Sequence, residues 1–174
     1  YKDQPLKPSY KEEINHIEED LNLMNSNLPE AVLQDRVVNL KGDTLTIKEV
    51  LSSTKGKIRY FDFWATWCPP CRSEMPAMQQ VYRDFEQDGF VVLAVNNLQQ
   101  DNIDSVETFV LEENLTFPVL LNNSGSVSSR YQVNSMPTSF FIDPEGIIRE
   151  VVIGGSMSEA LLRTRAENLL VKED

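Results

Sequence analysis

The chain has 174 residues, of which 41% are hydrophobic and 25% are charged, a composition typical of an ordinary globular domain. Its 27 acidic residues outnumber its 16 basic residues, and the net charge of −11 repels nucleic-acid phosphates and anionic lipid surfaces. Nucleic acid is therefore not an expected partner. No apolar run approaches the roughly eighteen residues that a membrane-spanning helix requires.

The first thirty residues are predicted to form a helical extension, 1–30, ahead of a single domain at 31–174. Ser9 and Glu12 have the spacing of a capping box, and apolar residues then recur at helical spacing, which predicts a helix from Tyr10 to Asn25. Its acidic face is expected to be solvated, and His16 is expected to be an exposed polar residue and not a ligand or a base.

The start of the sequence at Tyr1, and not at a methionine, leaves room for a leader or an upstream segment. A tether to a membrane through such a segment is therefore left open. The residues themselves carry no signal for export.

Apolar and alternating runs predict the strands of a sheet, and amphipathic spacing predicts its helices. The predicted strands are a hairpin over Val37–Ile47 with its turn at Lys41-Gly42-Asp43, and then Ile58–Trp64, Phe90–Val95, Val119–Leu121, Thr138–Ile142 and Ile147–Ile153. The predicted helices are Cys71–Gln87 with a kink at Pro76, Ile103–Asn114, a turn through Tyr131 and a closing helix to Val171 behind a capping box at Ser156 and Glu159. This order predicts an α/β fold with a mixed central sheet sandwiched between helices.

The two cysteines, Cys68 and Cys71, are separated by only two residues and cannot form the disulfide framework of a small secreted domain. A structural zinc site needs four nitrogen or sulfur ligands, and the sole histidine, His16, lies far away in sequence. We therefore expect no metal and no other cofactor, and we expect local chemistry between the two sulfurs.

The cysteine pair stands where a buried strand ends and a helix begins. The free N–H groups and the positive dipole end of a helix N-terminus favour a thiolate at Cys68, so its pKa is expected to be lowered toward neutrality. Pro69 and Pro70 stiffen the connection between the sulfurs and donate no N–H, which moderates this acidity. Cys71, one turn further along, is expected to be buried and less acidic.

The sequence from Trp67 through Met75-Pro76 resembles the thioredoxin superfamily, in particular its TlpA and ResA branch. Thr116-Phe117-Pro118-Val119 and the later segment Ser135-Met136-Pro137-Thr138 are similar to that branch's approach to its cis-proline. Asp143-Pro144-Glu145-Gly146 is similar to the hairpin turn that follows. The resemblance covers residues 33–171 and implies a thioredoxin-like fold with an added N-terminal hairpin and helix.

The resemblance also implies that Met136-Pro137 is a cis peptide facing Cys68, where a substrate strand could pair. An ordinary trans proline is the alternative, because most X-Pro bonds are trans. The side chains expected to border a bound substrate are Trp67, Pro69, Pro70, Met136 and Pro137. Trp64 and Phe63 are expected to pack in the core.

Two carboxylates compete for the role of proton acceptor to Cys71. Asp62 matches the buried aspartate of thioredoxins, and Glu74 matches the active-site glutamate of the ResA branch. Burial should raise the pKa of Asp62 toward the range that is useful for proton transfer. Glu74 could instead be a solvated acid that complements the helix dipole. Arg72 is expected only to screen negative charge at the site.

The resemblance implies a thiol-disulfide oxidoreductase that acts outside the cytoplasm and reduces protein disulfides, with Cys68 as the attacking sulfur and Cys71 as the resolving one. An upstream thiol would supply electrons. One alternative is a thioredoxin-like binding or chaperone module that grips cysteine-containing peptides with little turnover. A peroxidase is a weaker alternative, because that chemistry relies on a solitary cysteine in a different setting.

Overall fold

A computed structural model of the chain describes residues 26–28, 30–130 and 133–171. The predicted helix Tyr10–Asn25 and the predicted turn at Tyr131 itself lie outside these residues. The first described residues already contact the domain: Ile148 donates its N–H to the Ser26 carbonyl at 3.1 Å, and Asn27 forms an antiparallel bridge with Ile147. The division between an extension at 1–30 and a domain at 31–174 stays a prediction.

The strands of the described chain form one mixed sheet of seven strands. They are β1 (Arg36–Asn39), β2 (Thr44–Thr46), β3 (Ile58–Trp64), β4 (Phe90–Asn96), β5 (Val119–Leu121), β6 (Thr138–Ile142) and β7 (Ile148–Ile153). The strand order is β2-β1-β5-β4-β3-β6-β7, with β3 parallel to β4 and β4 parallel to β5, and with antiparallel pairing elsewhere. The predicted mixed sheet and its N-terminal hairpin are therefore confirmed.

Helices cover both faces of this sheet. They are α1 (Glu30–Leu33), α2 (Ile47–Ser53), α3 (Pro69–Phe85), α4 (Ile103–Glu112), α5 (Ser126–Arg130) and α6 (Glu159–Leu170), with a 3₁₀ turn at Leu98–Gln100. Buried side chains of α3, α4 and α6 share one apolar cluster, and those of α1, α2 and α5 share the other. Among the helices described, none is both long and apolar enough to cross a bilayer.

Strand β3 lies in the interior of the sheet between β4 and β6, and all seven of its residues are buried. Because side chains alternate along a strand, Tyr60 and Trp64 pack toward α3, whereas Phe61 and Phe63 pack toward the other face. Asp62 falls on the α3 face by the same alternation. The predicted burial of Trp64 and Phe63 is confirmed.

Several predicted element ends differ from the structure by one or two residues, and three differences concern how a helix begins. Ile47 was assigned to the hairpin, but it begins α2, because Thr46 and Glu49 form a capping box with each other. The helix predicted from Cys71 starts at Pro69. The capping box predicted at Ser156 and Glu159 does not form: Ser158 is the N-cap of α6 and accepts from the Leu161 N–H at 3.3 Å.

Replacing Leu93, which is 1% exposed in the middle of β4, with alanine should lower the free energy of unfolding by about 2 to 5 kcal/mol, because it removes apolar contacts and leaves a cavity. Leu111→Ala is the matched control, since that side chain is 76% exposed, and we expect a change below about 0.5 kcal/mol. Urea unfolding of the oxidised proteins measures both. Equal losses would contradict the central position of β4.

Candidate active site

The two sulfurs lie at the junction of β3 and α3. Strand β3 ends at Trp64, a three-residue connection follows, and Cys68 is the N-cap of α3 with extended backbone angles (φ −93°, ψ 103°). Prolines occupy the first two helical positions, where their missing N–H groups cost no helical hydrogen bond. The sequence thus begins the helix directly after the first cysteine.

Cys68 and Cys71 are joined as a disulfide, with their Cα atoms 5.3 Å apart. Cys71 is fully buried, as predicted, and Cys68 is 4% exposed. The Cys71 N–H points at the Cys68 sulfur at 3.3 Å, while the Arg72 N–H is engaged by the Cys68 carbonyl at 3.1 Å. The Cys71 amide is therefore the donor positioned to stabilise a Cys68 thiolate after reduction.

The peptide between Met136 and Pro137 is cis, and the Met136 carbonyl oxygen lies 3.7 Å from the Cys68 sulfur. Pro137 is buried and Met136 is partly exposed. The Pro137 carbonyl accepts from the Gly154 N–H at 2.8 Å. This geometry brings the backbone before β6 against the disulfide.

The side chains that the sequence assigns to substrate contact surround Cys68, but they differ in exposure. Trp67 is 55% exposed, Pro69 is exposed, and Pro70 is half-buried. The Trp67 indole donates to the Gln100 carbonyl at 2.6 Å, which holds the ring in one orientation. Arg72, expected only to screen charge, lies 5.1 Å over the ring of Phe109.

Asp62 is fully buried on the α3 face of β3. Its Oδ1 accepts from the Ser139 hydroxyl at 2.9 Å, and the Ser139 oxygen in turn accepts from the Tyr60 hydroxyl at 2.9 Å. Asp62 and Ser139 are direct partners across β3 and β6, so strand register sets this contact. Its second oxygen, Oδ2, is buried and accepts from no protein N–H or O–H among the described residues.

Glu74 is 1% exposed, so the solvated alternative for this side chain is wrong. Its Oε2 accepts from the Met157 N–H at 3.0 Å, and its Oε1 is buried without a described donor, like Oδ2 of Asp62. Two such carboxyl groups can hydrogen-bond to each other only when one of them carries a proton. The site therefore holds Asp62 and Glu74 as a pair.

Burial raises the pKa of Asp62 well above its ordinary value, and the nearby Glu74 carboxylate raises it further. Burial also raises the pKa of Glu74, from 4.5 to about 7, although the Met157 N–H and the hydrogen bond with Asp62 lower it in part. The pair therefore holds a proton more tightly than two exposed carboxyl groups would.

The segment Gly154–Met157, between β7 and α6, contributes contacts to the site that the sequence did not predict. Met157 holds Glu74 through its N–H, and the Ser156 hydroxyl lies 3.1 Å from the Pro70 carbonyl oxygen. Because the Ser156 hydroxyl is hydrogen-bonded to the Pro70 carbonyl of α3, it does not cap α6. The consecutive glycines before Ser156 were the available signal, because both have positive φ (67° and 68°).

The stability of the oxidised protein should fall as the pH rises through the window from about 4.5 to about 7. The folded protein keeps protons on Asp62 and Glu74 that the unfolded chain has released there, so unfolding releases protons. Glu74→Gln should reduce the loss of unfolding free energy across this window by about 2 to 3 kcal/mol. Urea unfolding at several pH values measures it.

Glu107→Gln is the matched control, because Glu107 is exposed on α4. It should retain the wild-type pH dependence. A Glu74→Gln protein with the same pH slope as the wild type would contradict the proton-holding pair.

Comparison with known proteins agrees with this geometry. The AhpC/TSA family profile matches residues 25–151. Thiol-disulfide oxidoreductase ResA from Geobacillus kaustophilus is 35% identical over 140 residues, which cover 80% of this chain and 75% of that protein. ResA from Oceanobacillus iheyensis is 41% identical over 104 residues, but this match spans 60% of the chain and only 53% of the relative.

Solved structures share the fold. A secreted Mycobacterium tuberculosis disulfide oxidoreductase homologous to Escherichia coli DsbE has a TM-score of 0.70 at 25% identity, covering 81% of this chain and all of that one. StoA from Bacillus subtilis has a TM-score of 0.61 at 30% identity, covering 75% and 93%. With its disulfide at the N-terminus of α3, the chain belongs to the AhpC/TSA family and is a thioredoxin-like thiol-disulfide oxidoreductase of the ResA type.

Proposed function

We propose that the protein works as a reductant of protein disulfides outside the cytoplasm. The observation that carries the proposal is the Cys68–Cys71 disulfide at a helix N-terminus, with two buried carboxyl groups nearby in the fold: Asp62 on the α3 face of β3, and Glu74 one turn beyond Cys71. Solved relatives support the location, since one is described as secreted. An upstream thiol protein would donate electrons, and a tether to the membrane would place the domain near both partners.

The cycle begins with the reduced dithiol. The Cys68 thiolate attacks one sulfur of the substrate disulfide, the substrate S–S bond breaks, and the first substrate sulfur leaves and takes a proton from water. Cys71 then gives up its proton and attacks the Cys68 sulfur. The Cys68–Cys71 disulfide forms and the second substrate sulfur leaves. Two electrons pass from the dithiol to the substrate, and the upstream thiol restores the dithiol.

The second step requires a base for the buried Cys71 thiol. Glu74 supports this role, because burial brings its pKa to about 7, and a base of that strength is both ionised and able to hold a proton near neutral pH. Asp62 supports the same role, because its hydrogen bond with Glu74 lowers the pKa of Glu74 in part and so favours the ionised form of Glu74. The two residues thus serve Cys71 as one unit, with Glu74 as the acceptor.

Cys68→Ser should abolish reduction of a protein disulfide such as that of insulin, since the remaining Cys71 sulfur is fully buried and out of reach of the substrate. Cys71→Ser should instead accumulate a mixed disulfide, since the resolving sulfur is missing. Non-reducing gels and intact-mass spectrometry distinguish the two. If either variant reduced insulin at the wild-type rate, the assignment would be wrong, and peroxide consumption by the wild type would favour a peroxidase.

The rate of resolution should depend on pH through Glu74. In single-turnover experiments, release of substrate from the mixed disulfide should speed up as the pH rises through about 7, as Glu74 ionises. Glu74→Gln should lose this rise and be slower by about 100-fold at pH 7. Glu107→Gln serves as the control and should keep the wild-type profile.

Equilibrium titration of the Cys68–Cys71 couple against glutathione distinguishes the oxidoreductase from the alternative, a binding module without turnover. A couple that exchanges at physiological poise supports catalysis. A couple that neither glutathione nor the stronger reductant dithiothreitol can reduce would support binding of cysteine-containing peptides alone, because a reductant of low potential also stays oxidised against glutathione.

A further inference from the structure

The Asp101 carboxylate, which lies outside α3, binds the connection 65–67 between β3 and α3. Asp101 follows the 3₁₀ turn after β4, and its two oxygens accept four hydrogen bonds. The donors are the Thr66 N–H (2.7 Å), the Thr66 hydroxyl (2.6 Å), the Asn96 amide (2.9 Å) and the Asn102 N–H (2.9 Å). Partial burial alone would raise the pKa of Asp101, but these bonds outweigh it and lower the pKa.

The neighbouring backbone holds the next residue of the same connection. The Gln100 carbonyl, bonded covalently to the Asp101 nitrogen, accepts from the Trp67 indole at 2.6 Å. The Asn97 N–H also donates to the Trp64 carbonyl at 3.2 Å. The segment after β4 therefore fixes the short link between β3 and Cys68 at several points, and the Asp101 carboxylate is the centre of these contacts.

Trp67 forms a wall of two depressions beside Cys68. One, of about 420 Å³, extends over Pro69 and Ser73, and the other, of about 370 Å³, extends over Phe109. Thr66 and Trp67 line both. The Met136 carbonyl flanks the Cys68 sulfur as well, so a polypeptide with its disulfide at Cys68 has the exposed Trp67 ring beside it. We expect a small disulfide to depend less on this surface than a polypeptide does, because it covers less of the protein around the sulfur.

We propose that Asp101 is a positioning residue for protein substrates, holding Trp67 in the orientation in which it contacts a bound polypeptide; this rests on the proposed function. An exposed aromatic ring that is already fixed loses little conformational entropy on binding. When the ring must first be ordered, binding weakens while the chemistry at the sulfurs is unchanged. The effect should therefore fall on KM for a protein substrate.

Asp101→Asn tests the proposal. The amide has the shape of the carboxylate, but its NH₂ group must face either the Thr66 N–H and the Asn96 amide or the Thr66 hydroxyl and the Asn102 N–H, so at least one hydrogen bond is lost. We expect KM for insulin to rise about five- to tenfold with little change in kcat, and kcat/KM for the small disulfide 5,5′-dithiobis(2-nitrobenzoic acid) to stay within about twofold. Asp88→Asn, an exposed change beyond the far end of α3, is the matched control.

A double-mutant cycle with Trp67→Ala shows whether Asp101 acts through the ring. In the Trp67→Ala background, Asp101→Asn should no longer change KM for insulin, because the contact it positions is gone. Thr66→Val, which removes the hydroxyl that donates to Asp101, should reproduce the insulin defect if Asp101→Asn does not fold.

Equal losses on both substrates, no loss on insulin, or additive effects in the cycle would each overturn the role of Asp101. A wild-type protein that reduces neither substrate would overturn the proposed function instead. The two failures are therefore distinguishable.

Discussion

The site depends on one constraint: the fully buried strand β3 leads through a short connection into the N-terminus of α3. Strand β3 is held between β4 and β6, so the position of its last residue is determined by two ladders of hydrogen bonds. Only three residues separate it from Cys68, and prolines then begin α3. The Cys68 sulfur is consequently placed by a fully buried strand, next in sequence to the exposed Trp67 ring.

The same strand supplies the proton chemistry. Alternation along β3 places Asp62 on the α3 face, and Glu74 lies one turn beyond Cys71 on the facing helix. Two interacting buried carboxyl groups cannot both be ionised without a large cost, so the pair favours a state that keeps one proton. The Ser139 hydroxyl and the Met157 N–H bind one oxygen of each, which leaves the two remaining oxygens for each other.

Local patterns predicted most of the fold, because hydrophobic alternation and the cysteine motif are properties of short segments. Ile58–Trp64 and Thr138–Ile142 match the observed strands residue for residue. One error arises where a side chain has two possible hydrogen-bond partners. Ser156 has the spacing of a helix cap, but its hydroxyl donates to the Pro70 carbonyl, 86 positions away. Thr46 and Glu49 carried a genuine capping signal that the strand assignment obscured.

The site was predictable to the same extent. Asp62 and Glu74 could each be proposed from position, but their pairing, and the full burial of Glu74, depend on the packing of α3 over β3. Asp101 had no local signal at all, since its partners Thr66 and Asn96 come from two different strand ends. Contacts of this kind become visible only when distant segments are brought together.

The short connection after β7 has a practical consequence for protein engineering. Through Gly154, Ser156 and Met157 it reaches the Pro137 carbonyl, the Pro70 carbonyl and the Glu74 carboxylate. Grafting the Cys-Pro-Pro-Cys sequence alone onto another scaffold would carry the Pro70 carbonyl without its Ser156 donor and would omit Pro137, Glu74 and their donors. A working transplant has to include the segment Gly154–Met157 together with the cysteines.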